Sequence, residues 1–158
     1  GRSEEQREIY EATRQAFRDH YGHVESDSSA DDYAQWVHHF IEYDGFDPEL
    51  QLVAVDTSGN IVGLSLCRPN EGARDDIGWV GSLGVTREHR RRGLAEALLR
   101  RSFEVFYAKG RAGVALGVDA DSLTNATRLY EKCGMYQRRV FIHLQKLIRD
   151  GEELANLG

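Results

Sequence analysis

One feature limits the possible folds of this chain more than any other. It is a short apolar strand that leads into a helix through a turn rich in arginine and glycine. The strand is predicted at residues 79–85, the helix at 93–107 and a further strand at 112–118. Two strands joined by a helix of this length are neighbours in a parallel arrangement with a right-handed crossover. The chain is therefore expected to be an α/β protein, which excludes all-helical and all-strand folds.

The other predicted elements surround this unit. Apolar residues at helical spacing and alternating strand patterns place them at residues 3–20 and 33–41 (helices), 50–55 and 61–67 (an antiparallel hairpin), 125–132 (a helix) and 136–147 (a strand). The expected architecture is a central mixed β-sheet flanked by helices on both faces. We predict one domain at residues 1–147 and a polar tail at residues 148–158.

Charge and composition narrow the function classes. The formal net charge of −6 argues against broad nucleic-acid binding, and no apolar run is long enough to span a membrane. Cys67 and Cys133 lack the spacing of a metal or redox motif, and HExxH is absent, so we expect no metal and a cytoplasmic location.

The turn before the helix has the chemistry of an anion site. The first N–H groups of a helix are unpaired and carry partial positive charge, and Gly93 and Ala95 let an anion approach them closely. Arginines at positions 90–92 would attract a polyanion such as a pyrophosphate. Neither GxxxxGK[ST] nor GxGxxG is present, which excludes the common nucleotide loops. Without further evidence, the three arginines are equally well explained as solvent-exposed surface residues without a ligand.

Two motifs together are more specific. Arg90-x-x-Gly93-x-Ala95 follows a strand that ends Leu-Gly-Val, and residues 126–135 read ATRLYEKCGM. This combination resembles the GNAT superfamily of acyl-CoA-dependent N-acyltransferases, with Met135 in place of the usual Phe. The resemblance covers residues 50–147. It implies the GNAT fold, here without the strand that usually precedes the first helix.

The resemblance also implies roles for individual residues. It assigns acetyl-CoA, the acyl-donor cosubstrate, to the strand backbone and to the turn, with these residues: Leu83, Gly84 and Val85 along the pantetheine arm, and Arg90, Arg91, Arg92, Gly93, Leu94, Ala95 and Glu96 around the pyrophosphate. Asn125, one residue later than the commonest spacing, is the candidate for a further contact with CoA.

Tyr130 occupies the position of the family's proton donor to the departing sulfur. A thiol titrates near ~8.5 and a tyrosine near ~10, so we expect a hydrogen bond to the developing thiolate and late proton transfer. Trp79 stands where some relatives carry a Glu on the strand. Candidate bases are the loop carboxylates Asp75, Asp76, Asp119 and Asp121, each of which is more often a solvated loop residue.

Two functional interpretations follow. The first is an N-acetyltransferase acting on a small-molecule or peptide amine by direct attack. The second is a degenerate GNAT half that binds acyl-CoA without catalysis. The sequence is also similar to the C-terminal halves of tandem GNAT proteins, of which mycothiol synthase is one example. A preceding GNAT domain or a second copy of the chain is accordingly an expected partner.

Overall fold

The computed structural model describes residues 1–18, 30–118 and 123–139. Four strands form one sheet in the order β1 (Gln51–Val55), β2 (Ile61–Arg68), β3 (Ile77–Val85) and β4 (Gly113–Leu116). β2 pairs antiparallel with β1 and with β3, while β3 and β4 are parallel. The predicted mixed sheet is confirmed, including its hairpin and its parallel pair.

Four α-helices accompany the sheet in the described residues. They are α1 (Arg2–Ala16), α2 (Ala30–Phe40), α3 (Leu94–Ala108) and α4 (Leu123–Lys132). Short 3-10 turns span Pro48–Leu50 and Arg87–His89. All four helices were predicted from apolar periodicity, and their ends differ by a few residues at most where the structure describes them.

Two strand predictions need correction. β4 ends at Leu116, not at residue 118, because its pairing with β3 stops at the Val80–Leu116 pair. Residues 136–139 are not in a strand, so the last strand does not begin at Tyr136. Residues 140–147, most of that predicted strand, and the predicted tail at residues 148–158 lie outside the described residues.

The two faces of the sheet bury different cores. Side chains on one face of β2 pack with α1 and α2 in a cluster around Tyr10, Ala12, Trp36, Leu64 and Leu66. On the other face, a second cluster joins the sheet to α3 and α4 through Leu50, Cys67, Val80, Leu99 and Phe106. This division follows from the two-residue period of strand side chains. The β3–β4 pair contributes to the second cluster through Val80, Val114 and Leu116.

A buried polar chain fixes α3 on β2. Ser102 Oγ donates its proton to the Leu98 carbonyl at 2.8 Å. Because that proton is used, Ser102 Oγ accepts the bond from Ser65 Oγ, also at 2.8 Å. The Cys67 thiol lies 3.3 Å from Ser65 Oγ. Burial raises the pKa of the Cys67 thiol, which keeps it uncharged. These bonds satisfy hydroxyl groups that would be costly to bury unpaired.

Candidate active site

The turn between β3 and α3 has an alternating backbone conformation. Arg90 is extended, with φ −67° and ψ 161°, whereas Arg91 has a φ of 61° and Gly93 a φ of 79°. Arg91 is the one non-glycine residue with positive φ in the described part of the chain. Alternation of left- and right-handed residues turns successive N–H groups towards a common concavity that suits an anion.

The start of α3 adds further donors to this concavity. The first helical bond runs from Ala97 N–H to the Gly93 carbonyl at 3.0 Å. Within the described residues, the N–H groups of Leu94, Ala95 and Glu96 therefore have no carbonyl acceptor. A β-carbon added to Gly93 would meet nothing within 4 Å, so the space above the turn is open. The turn can accept a phosphate on its main chain.

Arg90 braces the turn from behind. Its Nε donates to the Val85 carbonyl at 3.1 Å and its Nη2 donates to the Ala16 carbonyl at 2.9 Å. The guanidinium thus joins the end of β3 to the end of α1. Arg91 and Arg92 are exposed beside the turn, where their charges can attract a polyanion.

Glu96 links the turn to α4. Its carboxylate lies 2.8 Å from Lys132 Nζ and 3.0 Å from Arg100 Nε. Hydrogen bonds from Lys132 and then from Arg100 hold the pKa of Glu96 below its usual value. The first turn of α3 is therefore clamped to the end of the helix that carries Tyr130. Sequence reasoning did not foresee this clamp, although the i, i+4 spacing of Glu96 and Arg100 is a signal for half of it.

The parallel strands β3 and β4 separate in the middle of β3. Their pairing covers residues 77–80 of β3, whereas β2 follows β3 as far as Val85. At this point β3 has a bulge, because Leu66 pairs with Ser82 while the next residue, Cys67, pairs with Val80. Gly81 is the extra residue. Bulges bend a strand away from its neighbour, which opens a gap between β3 and β4.

The main chain of β3 offers hydrogen bonds to this gap. Thr86 N–H donates to the Val62 carbonyl at 2.9 Å, so Gly84, two residues earlier, also faces β2. The N–H and carbonyl groups of Leu83 and Val85 therefore point away from β2, towards the gap. Of these, the Val85 carbonyl already accepts a hydrogen bond from Arg90 Nε. An extended chain lying in the gap would find strand-like partners.

Tyr130 lies at the end of α4, beside the gap. Met135 N–H donates to the Tyr130 carbonyl at 2.9 Å and Gly134 N–H to the Glu131 carbonyl at 2.9 Å. With the φ of 85° at Gly134, these bonds form a Schellman motif, in which Met135 packs back towards Tyr130. The spacing Tyr-x-x-x-Gly-Met thus fixes the tyrosine relative to the helix end.

The surroundings of Tyr130 are apolar. It packs on the same cluster as Leu83 and Leu116, one from each strand beside the gap. Burial raises the pKa of the Tyr130 phenol. The hydroxyl therefore stays protonated at neutral pH and is suited to donate a hydrogen bond.

The candidate bases are not gathered at the gap. Asp76 is exposed and pairs with Arg74 at 2.8 Å, which lowers the pKa of that carboxyl. Asp75 is exposed in the same loop, and Asp119 and Asp121 lie outside the described residues. The main chain of Asn125 is in α4, and its side chain is outside the description.

Two further properties concern the described residues alone. No three His, Cys, Asp or Glu side chains among residues 1–18, 30–118 and 123–139 are grouped in a way that could hold a metal ion. In the same part of the chain, every helix is too short or too polar to cross a bilayer.

Comparison with known sequences agrees with this geometry. Residues 7–135 match the profile of the Acetyltransferase (GNAT) family. The chain belongs to that family. It is 40% identical over 93 residues to a mycothiol acetyltransferase from Arthrobacter sp. (strain FB24), and 38% identical over 93 residues to one from Paenarthrobacter aurescens (strain TC1). Each match covers 58% of this chain and 28% of the relative, so the match spans under a third of these proteins.

Solved structures have the same fold. A GCN5-related N-acetyltransferase from Sphaerobacter thermophilus is 42% identical with a TM-score of 0.65, over 83% of this chain and 38% of that one. An aminoglycoside N-acetyltransferase in complex with CoA is 13% identical with a TM-score of 0.64, over 91% and 90% of the two chains. The second likeness concerns the fold alone.

Proposed function

We propose that this chain transfers the acetyl group of acetyl-CoA to the nitrogen of a small-molecule amine. One observation carries the proposal: an open anion-binding turn, a strand edge with free main-chain groups and a half-buried tyrosine lie along one path. The Glu96 clamp between α3 and α4 connects the two ends of this path.

In this proposal the donor is held mainly by the main chain. The pyrophosphate accepts hydrogen bonds from N–H groups of residues 91–96, and the exposed Arg91 and Arg92 add attraction. The pantetheine arm pairs with Leu83 and Val85 at the open edge of β3. This places the thioester near the point where the strands separate.

The chemical step is a direct displacement at the thioester carbon. The amine nitrogen forms a bond to the carbonyl carbon, and the gap-facing N–H of β3 nearest the point of strand separation, that of Leu83, stabilises the oxyanion. The carbon–sulfur bond then breaks and the thiolate leaves with its electron pair. The Tyr130 hydroxyl, kept protonated by its raised pKa, donates a hydrogen bond to that thiolate. The nitrogen loses its proton to water.

The described carboxylates give no obvious base for the amine. Asp76 is already paired with Arg74, and Trp79 takes the strand position where a carboxylate could have stood. The acceptor therefore enters as the neutral amine present in solution. The rate should rise with pH until the acceptor is fully deprotonated.

The acceptor class follows from the names of the relatives. The sequence relatives are mycothiol acetyltransferases. That name indicates a small-molecule acceptor, which we extend to this chain. Because the match covers only 28% of the relative, we also propose that the domain works beside a preceding GNAT domain, in the cytoplasm.

A second candidate function is acyl-CoA binding without catalysis. Trp79 at the position of the strand acid, together with the lack of a carboxylate at the gap among the described residues, favours it. The two candidates differ in turnover. Release of free thiol from acetyl-CoA should be measured over a panel of small amines, with CoA binding measured by calorimetry. Thiol release that depends on the amine supports transfer. Binding without thiol release supports the second candidate, and no binding contradicts both.

A further inference from the structure

The indole of Trp79 bridges the two strands where the gap between them begins. A β-carbon added to Gly81 would lie 3.8 Å from Trp79 Cδ1, and one added to Gly117 would lie 3.4 Å from Cη2 and 3.7 Å from Cζ2. Gly81 and Gly117 directly follow the last paired residues, Val80 and Leu116. The five-membered ring is therefore near β3, and the six-membered ring near the end of β4.

The indole lies on the α2 side of the sheet. The same added β-carbon at Gly81 would be 3.8 Å from Phe40 Cε1, at the end of α2. Arg68, the partner of Trp79 in the β2–β3 register, bonds the His39 carbonyl and lies 4.7 Å above the Tyr43 ring. Trp79 therefore lies on the face of the sheet to which the end of α2 also packs.

The opposite side of the same point is lined by the α3 and α4 cluster. Val80 and Leu116, the last strand pair, pack there with Tyr130. The gap therefore begins between a tyrosine on one face and an indole on the other. A group entering from the Tyr130 side has Trp79 in front of it.

We infer that Trp79 limits the acyl group of the donor to two carbons. The inference deepens the proposed function and depends on its donor-binding half. With the sulfur beside Tyr130, the carbonyl lies in the gap and the far end of the acyl group points towards the indole. A ring held against both strands leaves space for a methyl group and stops a longer chain. A rigid aromatic side chain with two rotatable bonds is suited to such a stop.

The glycine after β4 agrees with this role. At Gly117 an added β-carbon would be 3.4 Å from the ring, which is van der Waals contact, so the indole packs directly against the backbone there. At Gly81 an added β-carbon would be 3.8 Å from the ring, and its tight contact, at 3.3 Å, is with the Leu66 carbonyl oxygen instead. Replacing the indole by a methyl group removes the group that reaches from β3 to the end of β4 at the start of the gap.

The test compares binding of CoA, acetyl-CoA, butyryl-CoA and hexanoyl-CoA by calorimetry, which needs no acceptor. We expect the wild-type chain to bind butyryl-CoA about tenfold more weakly than acetyl-CoA. In Trp79→Ala the two extra methylenes enter the vacated space, and burying them is worth about tenfold. The ratio of the two dissociation constants should then fall to within about twofold of unity, or reverse.

Two further variants separate the role from general damage. Trp79→Phe keeps a ring of smaller size and should admit butyryl-CoA but still reject hexanoyl-CoA. Tyr107→Ala removes an aromatic side chain that is 84% exposed on α3, and should leave every ratio unchanged. Binding of CoA itself, which lacks an acyl group, should be the same in all four proteins.

Each outcome decides a different part. If CoA and acetyl-CoA do not bind the wild-type chain, the proposed function fails and the inference fails with it. If they bind but the wild-type chain accepts hexanoyl-CoA as tightly as acetyl-CoA, only the inference fails. The same holds if Trp79→Ala binds CoA normally and keeps the wild-type ratio. A change of ratio confined to the Trp79 variants supports the inference.

Discussion

The turn before α3 and the gap beyond β3 are built in different ways. The turn gets its shape from the backbone, through the positive φ of Arg91 and Gly93 and the free N–H groups of the first helical residues. The gap is opened by the bulge at Gly81, but the groups beside it are side chains from separate elements, Tyr130 from α4 and Trp79 from β3. We therefore expect donor binding to be sensitive to conformation, and turnover to be sensitive to side-chain chemistry.

A substitution at Gly93 should have the largest effect on donor binding. Gly93→Val places a β-branched residue at a φ of 79° and puts its side chain where a phosphate would lie. We expect acetyl-CoA affinity to fall about 100-fold, which is roughly 3 kcal/mol. Calorimetric titration measures it.

Gly59 provides a matched control. It has a φ of 86° in the β1–β2 turn, and an added β-carbon there would also meet nothing within 4 Å. Gly59→Val introduces the same backbone strain away from the site and should leave acetyl-CoA affinity unchanged. Equal losses of affinity in both variants would mean that Gly93 acts only through stability.

Tyr130→Phe tests whether turnover depends on the hydroxyl group beside the gap. Loss of the hydroxyl should lower kcat by about tenfold or more with little change in acetyl-CoA affinity, because the bond forms only as the thiolate leaves. Steady-state thiol release measures both quantities. A loss of kcat below about threefold would remove Tyr130 from the mechanism.

The pH dependence of the rate tests whether Tyr130 acts as a protonated hydrogen-bond donor. Burial raises the pKa of Tyr130 above its ordinary value near 10, so the phenol remains a donor throughout the usual assay range. The wild-type rate should therefore rise with pH as the amine deprotonates, with no descending limb below about pH 10. A descending limb near pH 8 that disappears in Tyr130→Phe would contradict the assignment.

Arg90→Ala should affect both regions by a smaller amount. Its bonds to the Val85 and Ala16 carbonyls join the turn to β3 and α1. Their loss should lower the free energy of unfolding by about 1 kcal/mol and weaken acetyl-CoA binding by about threefold to tenfold. Urea unfolding and calorimetry measure the two effects. Arg101→Ala, in an exposed pair with Glu104, is the control and should change neither.

Much of the fold and part of the site follow from local patterns. The hairpin at Asp56–Asn60, the amphipathic helices and the turn at Gly93 have signals within a few residues, and the structure agrees with those predictions. The roles of the individual site residues remain predictions. Contacts between residues distant in sequence have no such local signal. For example, Arg90 donates a hydrogen bond to the carbonyl of Ala16, 74 residues earlier in the chain.

The bulge at Gly81 and the early end of β4 are missing from the sequence prediction for a related reason. Strand pairing depends on the partner strand, and the unbroken apolar run of residues 112–118 gives no sign that pairing stops at Leu116. An isolated glycine within a strand is a known signal for a bulge. β3 contains three glycines, each of which could mark a bulge. Only the pairing register of β2 with β3 shows that the bulge is at Gly81.

Glu96→Gln should have the smallest effect, on the link between the two regions. The pKa of Glu96 is lowered by Lys132 and Arg100, so the stabilisation is present above the ordinary glutamate pKa near ~4.3 and is lost as pH falls through the lower folded pKa. The urea midpoint of the wild type should exceed that of Glu96→Gln slightly at pH 7, and the difference should shrink as pH falls below the ordinary glutamate pKa. A difference that does not change as the carboxylate is protonated would contradict the clamp.

The claim that the donor lies along the turn and the open edge of β3 has a direct test in amide NMR. Acetyl-CoA added to the 15N-labelled chain should shift the amides of residues 91–96 together with those of Leu83 and Val85. The amides of β1, at the far side of the sheet, should stay in place. Shifts confined to β1 or α2, or no shifts at all under saturating acetyl-CoA, would contradict the account.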